Sequence, residues 1–207
     1  MLIRQALGQA SQQLAAAGIE TPDVDAAELL SDLINCSHII LPGVGAYNSA
    51  MDKLNDLNIT DGLLNEILIK KKPFLGICVG MQIMCEKGFE FKECKGLELI
   101  KGYVDEFEKK NDLILPHMGW NTVEAAKNSK LFKGIEHERF YFVHSYGVRN
   151  WELEAIGSFI PPKVTWTEFG TKFVSALEVG PLSATQFHPE KSGQAGIKLL
   201  SNWLGTF

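Results

Sequence analysis

Three short segments carry residue types that do chemistry, and each follows an apolar run. The sharpest is Gly76-Ile77-Cys78-Val79-Gly80-Met81-Gln82, a G-x-C-x-G between an apolar stretch and an amphipathic one. That spacing is the cysteine form of the nucleophile elbow, a strand-to-helix turn so tight that glycine is favoured two residues before and after the nucleophile. The turn exposes Cys78 above a sheet. The start of the next helix offers partial positive charge and the Val79 N–H, first to a thiolate and then to an oxyanion. The blander alternative for the pentapeptide is a core cysteine between loop glycines. The second segment is Gln186-Phe187-His188-Pro189-Glu190-Lys191-Ser192. A histidine at a strand end with a carboxylate two residues on has the logic of base and orienter, Glu190 fixing the ring tautomer and stabilising the imidazolium. Taken alone, His188 also fits a surface turn before the last helix. The third is Leu41-Pro42-Gly43-Val44-Gly45-Ala46, whose two glycines permit a backbone N–H to turn toward developing negative charge.

The elements that must hold these segments alternate in character. Residues 37–41 read as a strand, 48–71 contain two helices, and 73–77 form another strand, which together make a βαβ unit. Strands are predicted over 139–143, 163–168, 172–177 and 184–187. A final helix capped by Ser192 carries Ile197, Leu200, Trp203 and Leu204 on one face. The fold class is therefore α/β.

Composition narrows the chemistry. The 207 residues suffice for one sizeable domain, and 20 basic against 25 acidic residues give a net charge of −5. With no block of like charges, a small molecule is a better expected ligand than nucleic acid or membrane. No apolar run reaches the ~20 residues of a membrane span and no signal-peptide layout opens the chain, so a cytoplasmic location is expected. Cys36, Cys78, Cys85 and Cys94 form no CxxC pair and no zinc-ligand spacing with the histidines, so neither a metal, a disulfide framework nor a cofactor is expected. Cys36, Cys85 and Cys94 carry no readable function.

Taken in order, the PG-x-G loop, the G-x-C-x-G elbow and the late H-P-E resemble the class I glutamine amidotransferases. Pro116-His117-Met118-Gly119-Trp120-Asn121, Phe142-Val143-His144-Ser145-Tyr146 and the segment from Phe187 to Ser192 resemble, within that family, the glutaminase subunits of imidazole glycerol phosphate synthases. The resemblance covers roughly residues 32–204. It implies an open, mostly parallel sheet with helices on both faces, and a Cys78-His188-Glu190 triad that hydrolyses L-glutamine through a thioester. It also implies an oxyanion hole from Val79, Val44 and Gly45, and glutamine held by Gln82, His144, Ser145 and Tyr146. Ammonia would pass to a (βα)₈-barrel cyclase in a heterodimer, met by Trp120, Asn121 and Lys191. A core position for Trp120 is the alternative. Other readings are a non-catalytic remnant serving as an interaction module, a paralogous amidotransferase subunit of surface-sugar biosynthesis, and a γ-glutamyl hydrolase using the same elbow.

The N-terminal segment departs from this pattern. Residues 1–31 hold seven of the fifteen alanines and none of the seventeen lysines. Their helical spacing, and the Thr21-Pro22-Asp23 helix start, predict two amphipathic helices where the family has a first strand. The segment resembles the helical N-terminus of release-factor glutamine methyltransferases. Residues 1–31 are thus expected as an atypical helical segment and 32–207 as the amidotransferase domain. The sheet should lack its first strand, and the N-terminal helices should pack loosely or stand detached.

Overall fold

Ile39–Gly43 (β1) and Phe74–Cys78 (β2) are short apolar runs, and β2 is buried along its whole length, as a strand covered on both faces must be. In the computed structural model, which describes residues 26–108, 113–150 and 162–206, these strands pair in parallel, and β2 pairs in parallel with Leu182–Thr185 (β11). Lys163–Phe169 (β9) and Thr171–Val179 (β10) complete the sheet as an antiparallel hairpin, giving the order β1-β2-β11-β10-β9. The fold is α/β, as expected.

Register decides what meets at the carboxyl ends. Gly43 lies opposite Cys78, and Thr185 lies opposite Ile77. The three chemically promising segments therefore emerge side by side at one sheet edge, where ligands of open α/β sheets bind.

A second sheet joins Cys94–Lys95 (β4), Lys87–Gly88 (β3), Tyr103–Glu106 (β5) and Tyr146–Asn150 (β8). His117–Thr122 (β6) pairs with Arg139–His144 (β7) as a separate two-stranded ribbon. Neither β5, β6 nor β8 was expected from the sequence; in β6 the apolar Met118 and Trp120 lie on the exposed face. Below the ribbon lies an aromatic core. Phe140 stacks on Phe187 at 4.4 Å, and Phe107, Phe132, Phe142 and Phe173 pack around them, all fully buried or nearly so.

The last helix, Gly193–Leu204, departs from expectation. Ala195, Leu199 and Trp203 face the core, while Ile197 and Leu204 are 61% and 51% exposed. Spacing alone left the rotation of the apolar stripe open, and the tight approach of Gly196 to the Pro189 carbonyl fixes it. Ser192 sits at the cap position without capping. Its hydroxyl donates to the His188 carbonyl at 2.7 Å and accepts from the Tyr141 N–H at 3.0 Å, tying the His188 turn to β7.

The expected first helix, and the segment where the family has its first strand, lie outside the described residues; among the described residues β1 is an edge strand of its sheet. The second expected helix is seen as Ala26–Asn35, which runs through the boundary at residue 31 and is not detached. Leu29 and Leu33 are 2% and 1% exposed, and Leu30 packs over Gly62. Its C-terminal carbonyls at Leu33 and Ile34 accept from Lys72 Nζ, which also pairs with Glu66 at 2.7 Å. Amphipathic spacing could not reveal this clamp, because its lysine comes almost forty residues later. Lys72→Met should therefore cost about 3 kcal/mol by stranding the buried Glu66 carboxylate and two helix-end carbonyls. The measurement is the urea midpoint, and a shift below about 0.5 kcal/mol would refute the clamp. No helix of the described residues is long and apolar enough to cross a membrane.

Candidate active site

Cys78 ends β2 with φ +54° and ψ −111°, a strained conformation for a residue with a side chain. The flanking glycines explain how it persists, and they do so through space rather than backbone freedom. A Cβ on Gly76 would lie 2.6 Å from the Gly80 carbonyl oxygen, and one on Gly80 would lie 1.9 Å from the Leu41 carbonyl oxygen. Gly43 closes the third side, where a Cβ would lie 2.8 Å from both Gly80 N and Val79 Cβ. The elbow is thus a three-way backbone contact between β1, β2 and the turn after it.

That turn is only Val79–Gln82, so the expected helix-dipole contribution shrinks to a single turn. The Val79 N–H, first in the turn, is a donor with no partner inside it. Across the mouth, Val44 and Gly45 present the other loop, with Gly45 at φ +99°, where glycine is favoured.

His188 is 1% exposed and held from three sides: its N–H donates to the Tyr141 carbonyl at 2.9 Å, its carbonyl accepts from Ser192, and Nδ1 meets Glu190 Oε1 at 2.7 Å. Its Nε2 is buried without a hydrogen-bond partner. Burial alone would push the ring down, but Cys78 and then Glu190 outweigh it and raise the ring to about 9. Burial likewise opposes ionisation of Glu190, and the His188 hydrogen bond more than offsets it, holding the carboxyl below its usual value. Histidine and carboxylate therefore sit as a charged pair beside the sulfur.

These groups open into a pocket of about 340 Å³ lined by Val44, Gly45, Cys78, Val79, Gln82, Glu90, Val143, His144, Ser145, Tyr146, His188 and Lys191. Every residue singled out from sequence as nucleophile, base, oxyanion donor or glutamine contact lines it, and Glu190 touches it through His188. Of the three expected partner contacts, only Lys191 reaches the pocket. Trp120 is not core: it is 48% exposed beside Met118 on the outer face of β6. Asn121 lies on the opposite face, because strand residues alternate, and its amide donates inward to the Glu168 carbonyl at 3.1 Å.

Two groups escaped the sequence reading, one lining the pocket and one buried behind Cys78. Glu90 brings a carboxylate, anchored by the Tyr47 N–H at 2.8 Å, from a loop with no motif of its own. Gln186 is fully buried at the end of the strand before His188 and donates from Nε2 to Cys78 Sγ at 3.7 Å. Its signal was a polar residue inside an apolar strand end. Both hydrogens of Gln82 are used internally, on the Tyr146 carbonyl at 2.9 Å and Gln186 Oε1 at 3.1 Å, leaving its Oε1 as acceptor.

Comparison with known proteins agrees with this geometry. The model of the class-I glutamine amidotransferase family matches residues 2–205, reaching into the segment whose composition set it apart. The chain is 50% identical over 169 residues to imidazole glycerol phosphate synthase subunit HisH of Leifsonia xyli subsp. xyli, covering 81% of this chain and 79% of that one. With the protein of the same name from Nocardia farcinica it shares 45% over 203 residues, 96% of this chain and 92% of the other. A crystal structure of a glutamine amidotransferase, 17% identical, shares the fold with a TM-score of 0.61 over 94% of this chain and 92% of its own. On the elbow, the histidine turn and these matches, the chain belongs to the class-I glutamine amidotransferases.

Proposed function

We propose that the chain is the glutaminase subunit of an imidazole glycerol phosphate synthase, serving histidine biosynthesis. The observation that carries this reading is the strained Cys78 beside the His188–Glu190 pair, lining a pocket with room for glutamine. Cys78 Sγ attacks the side-chain amide carbon of glutamine. The oxyanion accepts from the Val79 N–H and from the Val44–Gly45 loop, each donor contributing about 10² to 10³ in rate. His188 gives its proton to the leaving nitrogen, ammonia departs, and a thioester remains. The same ring then takes a proton from water, whose hydroxide releases glutamate. Glu90 and Gln82 Oε1 are acceptors suited to the substrate ammonium, while Ser145 and Tyr146 line its path.

Ammonia then passes to a (βα)₈-barrel cyclase. The exposed Met118–Trp120 face, with Lys191 nearby, suits such a partner, an exposed aromatic being a common interface anchor. The test is glutamate release from glutamine, with and without a purified cyclase subunit. Turnover should rise with the partner. No turnover under either condition from folded protein would overturn the reading and favour a non-catalytic remnant.

The pH profile follows from His188. Its folded value near 9 exceeds the ordinary 6.5, so the imidazolium and its contacts persist below 6.5 and are lost as pH rises through 9. For free enzyme, kcat/KM should fall above about pH 9. Glu190→Gln removes one of the two groups that raise the ring, so this limb should move toward neutrality and turnover at pH 8 should fall roughly 10²-fold. An unmoved limb would refute the orienting role of Glu190.

A further inference from the structure

A continuous file of hydrogen bonds runs from the surface ribbon to the sulfur. Asn121 Nδ2 lies 3.2 Å from His117 Nε2, His117 Nδ1 lies 3.0 Å from His144 Nε2, and His144 Nδ1 lies 2.8 Å from the Tyr146 carbonyl. That carbonyl also accepts from Gln82, which donates to Gln186, which donates to Cys78 Sγ. Both of its lone pairs are then used.

The direction of every bond is fixed. A carbonyl only accepts, so His144 carries its hydrogen on Nδ1 and accepts at Nε2. His117 must then donate from Nδ1 and accept at Nε2, which requires the amide nitrogen of Asn121 there. Asn121 cannot be flipped, since its Nδ2 also donates to the Glu168 carbonyl and its Oδ1 accepts from the Thr122 N–H at 2.8 Å. Burial holds both imidazoles neutral, pushing His117 down to about 4 and, helped by its neighbour His117, His144 to about 3. Stacking on Phe142 and Phe169 at 4.8 and 4.0 Å keeps the His117 ring in plane.

We propose that Gln186 orients and stabilises the Cys78 nucleophile through its Nε2–Sγ hydrogen bond, and that Gln82, whose amide is turned by the Tyr146 carbonyl, sets the direction of the Gln186 amide. Gln186 touches the reacting atom; Gln82 is a positioning residue acting through it. An amide aimed the other way would put an oxygen against the sulfur, repelling the thiolate instead of stabilising it. The turnover part of this inference rests on the glutaminase reading, whereas the reactivity of the sulfur does not.

The experiment is alkylation of the purified full chain by iodoacetamide at pH 8, followed at the Cys78 peptide by mass spectrometry, with glutamine kcat and KM in parallel. Gln186→Met keeps length and removes the donor. It should slow Cys78 alkylation about threefold to tenfold, since the sulfur loses the hydrogen bond that orients and stabilises it. Labelling of Cys36 and Cys94 should not change, and kcat should fall with little change in KM. Gln82→Met removes the donor that holds Gln186 Oε1. It frees the Gln186 amide to turn, with an expected slowing of about twofold at Cys78 alone. If Gln186→Met does not fold, Gln186→Glu, which keeps volume and the acceptor for Gln82, takes its place, and Gln82→Met decides independently of both. Wild-type alkylation rates in either variant would overturn the proposal. Normal wild-type alkylation with no glutamate release under any condition would instead count against the glutaminase reading and leave this comparison decisive.

Discussion

Replacing Cys78 by alanine should lower glutamine turnover by on the order of 10⁴-fold or more, because the pathway through a thioester disappears with the sulfur. The fold should survive. Alanine keeps the Cβ, so the strain at φ +54° is unchanged, and the side chain lost is a single sulfur atom at a residue 4% exposed in the free chain. His188 supplies an independent readout. Cys78 is the larger of the two influences raising its ring, so in Cys78→Ala the His188 titration should move down from about 9, leaving Glu190 as its remaining support. Glutamate release and the proton NMR titration of His188 check the two halves. Turnover above about a hundredth of wild type would remove Cys78 as nucleophile, and an unmoved His188 would deny the contact between them.

Gly80→Ala should be among the most damaging single-atom additions in the chain. Its Cβ would lie 1.9 Å from the Leu41 carbonyl oxygen and 3.0 Å from the Leu41 carbonyl carbon, both backbone atoms of a strand paired along its length. Neither side can yield cheaply, since β1 is held by β2 and the elbow by Gly76 and Gly43. A cost of about 3 kcal/mol or more is expected, at or above the upper range for overpacking, with loss of the Cys78 geometry. Gly134→Ala provides the contrast: no atom lies within 4 Å of its Cβ, and only the strain of φ +79° applies, about 1 kcal/mol. Urea midpoints of the two variants separate the effects. Equal shifts would mean that the elbow tolerates displacement and that its glycines matter only for flexibility.

The parts of the site that could be read without a structure are those whose chemistry is local. The elbow needs two glycines and a cysteine within five residues, and the histidine turn needs a carboxylate two residues on, so each announces itself along the chain. The strands β1 and β2 were legible for the same reason, as short apolar runs beside helical stretches, whereas β11 was expected over 184–187 and runs over Leu182–Thr185, because half of its residues are polar. The ribbon was not: in His-Met-Gly-Trp-Asn-Thr the apolar Met118 and Trp120 take the exposed face and the polar His117 the buried one, the reverse of the pattern that marks a strand. Nor was the depth of the last helix, where contact with Pro189 and not hydrophobic spacing chose the buried stripe.

Which groups meet depends on the assembled fold. Gln82 reaches Gln186 across 104 positions, and Gln186 reaches Cys78 across 108. Glu90 enters the pocket from a loop whose sequence carries no motif. His117 and His144 are neighbours only because β6 and β7 pair in the register that sets them opposite one another. Local sequence dictates the nucleophile, the base and the backbone devices that aim them at the pocket, because strain and sterics act between adjacent residues. The fold determined the charge state of His188 and the direction of the hydrogen bonds around the sulfur, because burial and long-range pairing exist only once the sheet is assembled.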